Sequence, residues 1–195
     1  MTDISAVSSQ RGMPTPRRTL IRLLRVWIVA LLVFGYGPAF SYGLFTWLLN
    51  ENQWGWMFLM YFTLVPVAGG LGVLALPLRW YRPIYRATET VTRGGLVTQP
   101  ERVYVYLRAM QLPWQVARSA FLTTVVIYAV SAVVVYRQAE LPRIELIKIL
   151  PAIPLVGGMM AALCYFGTGR ALQPVVAWCS QAIAQPLRVR PVPIA

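Results

Sequence analysis

Residues 55–78 of the chain are GWMFLMYFTLVPVAGGLGVLALPL, an unbroken run without a charged side chain. A helix needs about 20 apolar residues to cross the roughly 30 Å hydrocarbon core of a bilayer. This stretch therefore predicts a membrane-spanning helix. The basic sequence that begins at Arg79 marks the end of the span.

Three further uncharged tracts meet the same length criterion, namely Val26–Leu49, Ser119–Tyr136 and Ile149–Gly169. Together with residues 55–78 they predict an all-α polytopic membrane protein with four transmembrane helices arranged as two hairpins. The expected organisation is a basic N-terminal segment (1–25), a first hairpin (26–78), a connection (79–118), a second hairpin (119–169) and a basic tail (170–195).

The composition excludes several other classes of protein. Lys and Arg number 18 against 6 Asp and Glu, for a net charge of +12, while 57% of the residues are hydrophobic. A disordered basic tail would be poor in apolar residues, and a soluble nucleic-acid-binding domain would carry many more polar ones. The chain has no His, which excludes an imidazole base and His-ligated metal or haem. We therefore expect no cofactor, no metal site and no nucleic-acid partner.

The arginines predict the orientation of the spans. They concentrate in the N-terminal segment, in the connection and in the tail, whereas the two predicted hairpin loops carry few net positive charges. Positive charge favours the cytoplasmic side, so both termini are expected in the cytoplasm of a bacterial inner membrane. The charge should also hold the protein to the anionic leaflet, at about 1 kcal/mol per basic residue near the surface.

Aromatic residues cluster near the predicted ends of the spans. An aromatic belt at the membrane interface is their expected role, and a ligand cage is the alternative. The residues are Trp27, Trp47, Trp54, Trp56, Trp80 and Tyr81.

A short internal repeat links the second and fourth spans. Val65–Leu71 is VPVAGGL, and Ile153–Met159 is IPLVGGM. We interpret the match as two parallel copies of one hairpin design, with chance similarity as the alternative. The small and kinking residues of the repeat are expected to pack span two on span four; the alternative is a bendable or dimerising pair of helices. They are Pro66, Gly69, Gly70, Pro154, Gly157 and Gly158.

The connection, residues 79–118, has the pattern of two short amphipathic helices lying on the membrane face. Pro83 is placed to open the first, which ends at Gly94-Gly95 and carries on one side Ile84, Ala87, Thr88 and Val91. Thr98–Glu101 is a capping box that starts the second, with an expected end at Leu112–Pro113. Its apolar residues at helical spacing are Val103, Tyr106, Leu107 and Met110. The connection is either a coupling element or a linker that only determines topology.

The predicted spans contain no ionisable residue apart from tyrosine and cysteine, so the signature of a proton relay or ion pathway is missing. Phosphate-loop, nucleophile-elbow and zinc-protease motifs are absent as well. Glu89 and Glu101 stand in solvated basic segments, which disfavours an acid–base pair. We expect the chain not to be an enzyme, and we assign no catalytic residue.

Three short motifs carry a resemblance to a known class of protein. They are Arg82-Pro-Ile84 after span two, Arg108-Ala-Met-Gln-Leu-Pro113 before span three, and Arg170-Ala-Leu-Gln-Pro174 after span four. Their order resembles the N-terminal membrane region of bacterial signalling proteins of the class III adenylate/guanylate cyclase or histidine kinase type. The stretch from Arg82 to Glu89 is similar to the opening of a HAMP-type linker helix, although Gly94 and Gly95 follow sooner than in that pattern.

The resemblance implies a non-enzymatic sensor or anchor module, a homodimer or partner of another membrane protein, that passes helix movement to a cytoplasmic output. Its coupling residues would be Arg82, Pro83, Arg170 and Pro174. An accessory or assembly subunit of a larger integral membrane complex is the alternative. A small transporter fits the repeat, but the chain lacks a polar site at the membrane midplane.

Overall fold

The computed structural model describes residues 15–46, 51–138, 147 and 150–184, and nearly all of them are helical. Residues 1–14, 47–50, most of the predicted second outer loop and residues 185–195 lie outside the described residues. The elements are α1 (Pro16–Thr46), α2 (Glu51–Leu64), the π-helical segment π1 (Val65–Ala75), α3 (Leu76–Thr92), α4 (Gln99–Gln138) and α5 (Ala152–Ala184). The predicted all-α class is confirmed for this part of the chain.

Three helical stretches are long and apolar enough to cross a membrane: Phe58–Thr92, Gln99–Gln138 and Ala152–Gln181. They contain most or all of predicted spans two, three and four. Helix α1 covers most of the first predicted span, Val26–Leu49, whose last residues lie outside the described part. That this helix crosses the bilayer remains a prediction.

Each helix of the bundle contacts particular neighbours. Helix α5 lies against α4 and α1, while π1 lies against α1 and α4. Spans two and four therefore occupy opposite corners, and the expectation that they pack mainly on each other is wrong. Two glycines of the repeat, Gly69 and Gly157, do pack closely, but against neighbours from their own predicted hairpins.

The two short helices predicted for residues 79–118 are not separate elements. The elements α2, π1 and α3 follow one another directly, so Pro83 lies inside a continuous helical rod, and Pro113 lies inside α4. An interior proline costs a helix about 3 kcal/mol. Burial of Leu112 and Val116 on either side of Pro113 stabilises by about 1.5–3 kcal/mol each, so the helix continues.

The helical bundle continues beyond the uncharged tracts in residues 79–92, 99–118 and 170–184, and we call this part the basic end. Tyr81, Ile84 and Thr88 of α3 are buried among the helices rather than laid on a membrane surface. In α4 the buried positions are Val105, Ala109 and Leu112. Of the predicted apolar stripe, Val103, Leu107 and Met110 are exposed, and Tyr106 is half-buried against the core. The predicted stripe is therefore buried in α3, whereas in α4 a different stripe is buried.

The outer surface of the apolar part of the bundle carries large hydrophobic side chains on every described helix. A soluble protein would bury them, whereas in a bilayer they meet acyl chains. Of the predicted belt residues, Trp27 and Tyr81 are buried inside the bundle, and Trp56 and Trp80 are half-buried. The side chains of Trp47 and Trp54 lie outside the described part. Among the exposed side chains are Val29, Leu32, Phe62, Val67, Leu71, Val126, Val133, Leu155, Met159 and Phe166.

Candidate coupling site

The segment π1 is an unusual stretch in the middle of the rod that joins α2 to α3. Pro66 stands at its start and Pro77 just after its end, with three glycines between them. Proline and glycine both destabilise the interior of an α-helix. At the end of the segment, the Leu76 N–H donates to the Leu71 carbonyl, the i to i+5 pattern of a π-helix. Long π-helical stretches are rare, and π turns occur preferentially at functional positions.

Gly72 is the point of closest approach between π1 and α4. The Ser119 hydroxyl donates a 2.6 Å hydrogen bond to the Gly72 carbonyl oxygen. A Cβ atom at Gly72 would overlap the Thr123 hydroxyl and lie 2.9 Å from Thr123 Cβ. Only glycine fits this contact without a shift of one helix.

The four glycines of the repeat fall into two matched pairs. Gly69 and Gly157 are both buried, and a Cβ atom on Gly69 would overlap Leu31 of α1 while one on Gly157 would lie 3.1 Å from the Phe121 ring of α4. Gly70 and Gly158 face open space. The prolines differ, because Pro66 starts π1 whereas Pro154 lies exposed in the first turn of α5, where a missing N–H costs nothing.

Polar side chains join the helices inside the bundle. The Trp27 indole N–H donates to the Thr168 hydroxyl at 2.9 Å, which connects α1 with α5. The Tyr128 hydroxyl donates to the Phe34 carbonyl oxygen at 3.0 Å. Such bonds give helices in a membrane a fixed register where apolar packing alone gives little.

Three arginines of α3 line a cavity of about 470 Å³ between α3 and α4, which we call the basic cavity. Arg79, Arg82 and Arg86 have the spacing i, i+3 and i+7, which places them on one side of the helix. Pro83 lines the same cavity, and Glu101 contributes to the opposite wall. The structure thus brings the predicted coupling residues Arg82 and Pro83 into one site.

The other predicted coupling pair lies elsewhere. Arg170 lines a separate groove of about 980 Å³ between α4 and α5, whose other walls include Met110, Pro113 and Phe166. Pro174 is half-buried inside α5 and is not among the lining residues of that groove. Arg82 and Arg170 therefore do not share a site.

Besides lining the groove of Arg170, α4 and α5 contact each other at the basic end through Arg102 and Trp178. The Arg102 guanidinium carbon is 5.8 Å from the centre of the Trp178 ring, a cation–π geometry.

Cys164 and Cys179 are free and buried. No group of three or more His, Cys, Asp or Glu suited to a metal ion occurs in the described residues.

Sequence reasoning missed the contact of Gly72 with Ser119 and Thr123. Gly72 stands four residues after Ala68, the spacing of a small-xxx-small pair, and Ser119 is only the first residue of a predicted span. The available signal was a third glycine beside Gly69 and Gly70. Its partner on α4 could not be derived from the spacing.

Comparison with protein-family models, with curated proteins and with solved structures finds no match to this chain. The likeness to bacterial signalling proteins therefore rests on the three short motifs around Arg82, Arg108 and Arg170. Function has to be argued from the geometry of the bundle.

Proposed function

We propose that the chain is a non-enzymatic membrane module of a bacterial signal-transduction protein, which couples helix movement in the bilayer to a cytoplasmic output. One observation carries the proposal. A continuous helical rod, Glu51–Thr92, runs from an uncharged tract through π1 into the basic cavity. Because the helix is continuous, a displacement on one side of π1 can be transmitted along it to Arg82 and Pro83.

The mechanism begins at π1. Its backbone hydrogen bonds join residues five apart, where those of an α-helix join residues four apart. A change between the two patterns therefore moves each hydrogen bond by only one residue. The tight contact of Gly72 with Ser119 makes α4 move when π1 moves. Since α4 also extends into the basic end, both walls of the basic cavity would respond.

The proposal includes four spans in two parallel hairpins, with both termini in the cytoplasm of the inner membrane. The arginine distribution supports the orientation. The matched surroundings of Gly69 and Gly157, each packed on the preceding predicted span, support the repeat.

A partner helix is part of the proposal. Gly158 and Ala162 both face outward on α5 with the spacing of a small-xxx-small pair, which allows close approach of another helix. A second copy of this chain is our preferred partner. The alternative function is an accessory or assembly subunit of a larger integral membrane complex, in which an unrelated helix would take that place.

The native mass of the complex tests the proposal. The chain would be extracted from its own membranes into nanodiscs without chemical crosslinking, and the copurified proteins would be identified. We expect a homo-oligomer of this chain or of a longer product that contains it. A fixed stoichiometry with unrelated membrane subunits would overturn the signalling function and support the accessory subunit.

A further inference from the structure

The basic cavity has the residues of an anion site. Arg79, Arg82 and Arg86 stand on successive turns of one face of α3 and all line it. Each guanidinium offers a planar fork of N–H donors, which matches the oxygen atoms of a phosphate group. Three such forks around one cavity of about 470 Å³ leave room for a small organic anion.

The positive charge of the cavity is not neutralised within the described part of the chain. There, none of the three arginines forms an ion pair or a side-chain hydrogen bond; the ion pair found is Arg93 with Glu89. The Glu101 carboxylate already accepts hydrogen bonds of 2.9 Å from both the N–H and the hydroxyl of Thr98. The cavity therefore keeps unused donors and a net positive charge.

The position of the cavity suits a ligand at a membrane surface. Arg79 is the first charged residue after the uncharged tract that ends at Leu78. Apolar side chains form part of the remaining wall beside Thr90, Tyr104 and Glu101, and one of them, Leu96, is 93% exposed. An arginine cluster beside an exposed leucine offers a place both for a phosphate and for an adjoining hydrocarbon group.

We propose that the basic cavity binds the phosphate group of a phosphate ester, held by Arg79, Arg82 and Arg86. The phosphate belongs either to an anionic phospholipid headgroup or to a soluble phosphate ester. Binding itself depends on the cavity alone; its regulatory meaning rests on the proposed coupling function, because a bound phosphate would fix the face of α3 that follows π1.

The experiment uses the purified full chain in nanodiscs and compares two double variants of equal net charge. Arg82→Gln with Arg86→Gln removes two cavity charges. Arg18→Gln with Arg22→Gln removes two exposed charges that do not line the cavity. General adhesion to an anionic surface falls equally in both, so a difference between them reports the cavity. Thermal unfolding verifies that both variants fold.

The lipid source is tested with phosphatidylglycerol in a phosphatidylcholine bilayer, counting retained lipid by native mass spectrometry. The soluble source is tested with glycerol 3-phosphate and the protein in pure phosphatidylcholine. The cavity variant should lose about tenfold or more in affinity for one of the two probes, as expected when charge-assisted hydrogen bonds are removed, while the control variant stays near the parent. The affected probe identifies the source.

The Arg82→Lys variant adds a test of geometry. It keeps the charge and loses the planar fork, so binding should fall between that of the parent and that of the double variant. Equal losses in the two double variants, or no binding of either probe by the parent, would overturn the proposal. Neither result depends on an output domain or a protein partner, so failure here is distinguishable from failure of the signalling function.

Discussion

The indole N–H of Trp27 donates a 2.9 Å hydrogen bond to the hydroxyl of Thr168, and both side chains are completely buried. The bond joins α1 to α5 across 141 positions of the chain. Trp27 was expected at a membrane interface. It is instead part of the main core, beside Leu23 and Ala30.

Replacing Thr168 should therefore destabilise the bundle. Thr168→Val keeps the shape and leaves the Trp27 N–H buried without a partner, at a cost of about 1–3 kcal/mol. Thermal unfolding in detergent measures the loss. Thr63→Val is the control, because its exposed hydroxyl bonds only to carbonyls of its own helix. Equal shifts in the two variants would show that the interhelical bond contributes nothing.

The contact at Gly72 predicts a sharp difference between neighbouring glycines. Gly72→Ala must push π1 away from Thr123 and should cost about 1–3 kcal/mol, as overpacked sites do. Gly70→Ala places its methyl group in open space and should be neutral or slightly stabilising. Unfolding curves of the two variants give the comparison. A Gly72→Ala variant as stable as the parent would contradict the close packing of π1 on α4.

Pro66 is predicted to maintain the π-helical geometry. Pro66→Ala restores a backbone donor and should let part of π1 return to α-helix, which moves α3 relative to α5. Spin labels at the exposed positions Thr90 and Gln173 would report the change as a shift on the order of 2 Å, because the hydrogen-bond register changes by about one residue. Pro154→Ala is the matched control, since that proline lies in a first turn, and it should leave the distance unchanged.

The orientation of the chain is testable by cysteine labelling. The native Cys164 and Cys179 are buried and should react only after denaturation. Leu96→Cys would stand at an exposed site between α3 and α4, and an impermeant maleimide should reach it in inside-out vesicles but not in right-side-out ones. Ile147→Cys, also exposed, should show the opposite pattern. Labelling of both from the same side would overturn the predicted topology.

Glu101 should make the start of α4 sensitive to acid. The N–H and hydroxyl of Thr98 hold the pKa of the Glu101 carboxyl below its usual value. A carboxyl with a lowered folded-state pKa stabilises above its unfolded pKa and loses that contribution as the pH falls through the folded one. The stability difference between the parent and Glu101→Gln should thus be largest at neutral pH and vanish in acid. Urea unfolding across this range measures it; a constant difference would contradict the cap.

The uncharged tracts predict the helices because length and charge alone decide whether a segment suits a bilayer. One half of the predicted Thr98–Glu101 capping box is confirmed, because the Glu101 carboxylate accepts from the Thr98 N–H, a local contact three residues apart. The Thr98 hydroxyl donates to the same carboxylate instead of accepting from a backbone N–H. The arginines of α3 could also be placed on one face from their spacing. These features depend on neighbours in sequence.

The partners of the buried residues could not be derived in the same way. Pro113 appeared to end a helix, but Gly169 of α5 lies opposite its ring, with 3.9 Å from Pro113 Cγ to the place of a Cβ, and leaves it room. The predicted apolar stripe of α4 was Val103, Tyr106, Leu107 and Met110, yet the buried positions are Val105 and Ala109. Which stripe is buried depends on the position of α5, and that is a property of the assembled bundle.

The pairing of α1 with α5 also determines when the bundle can close during synthesis. The chain grows by about 5–20 residues per second, so Thr168 emerges roughly 7–28 s after Trp27. For that time the inner face of α1 has no final partner on α5, and the indole donor must be shielded by lipid, water or an insertion factor. Helix α5 therefore completes the core around α1, and a nascent chain halted before Thr168 would remain an open intermediate.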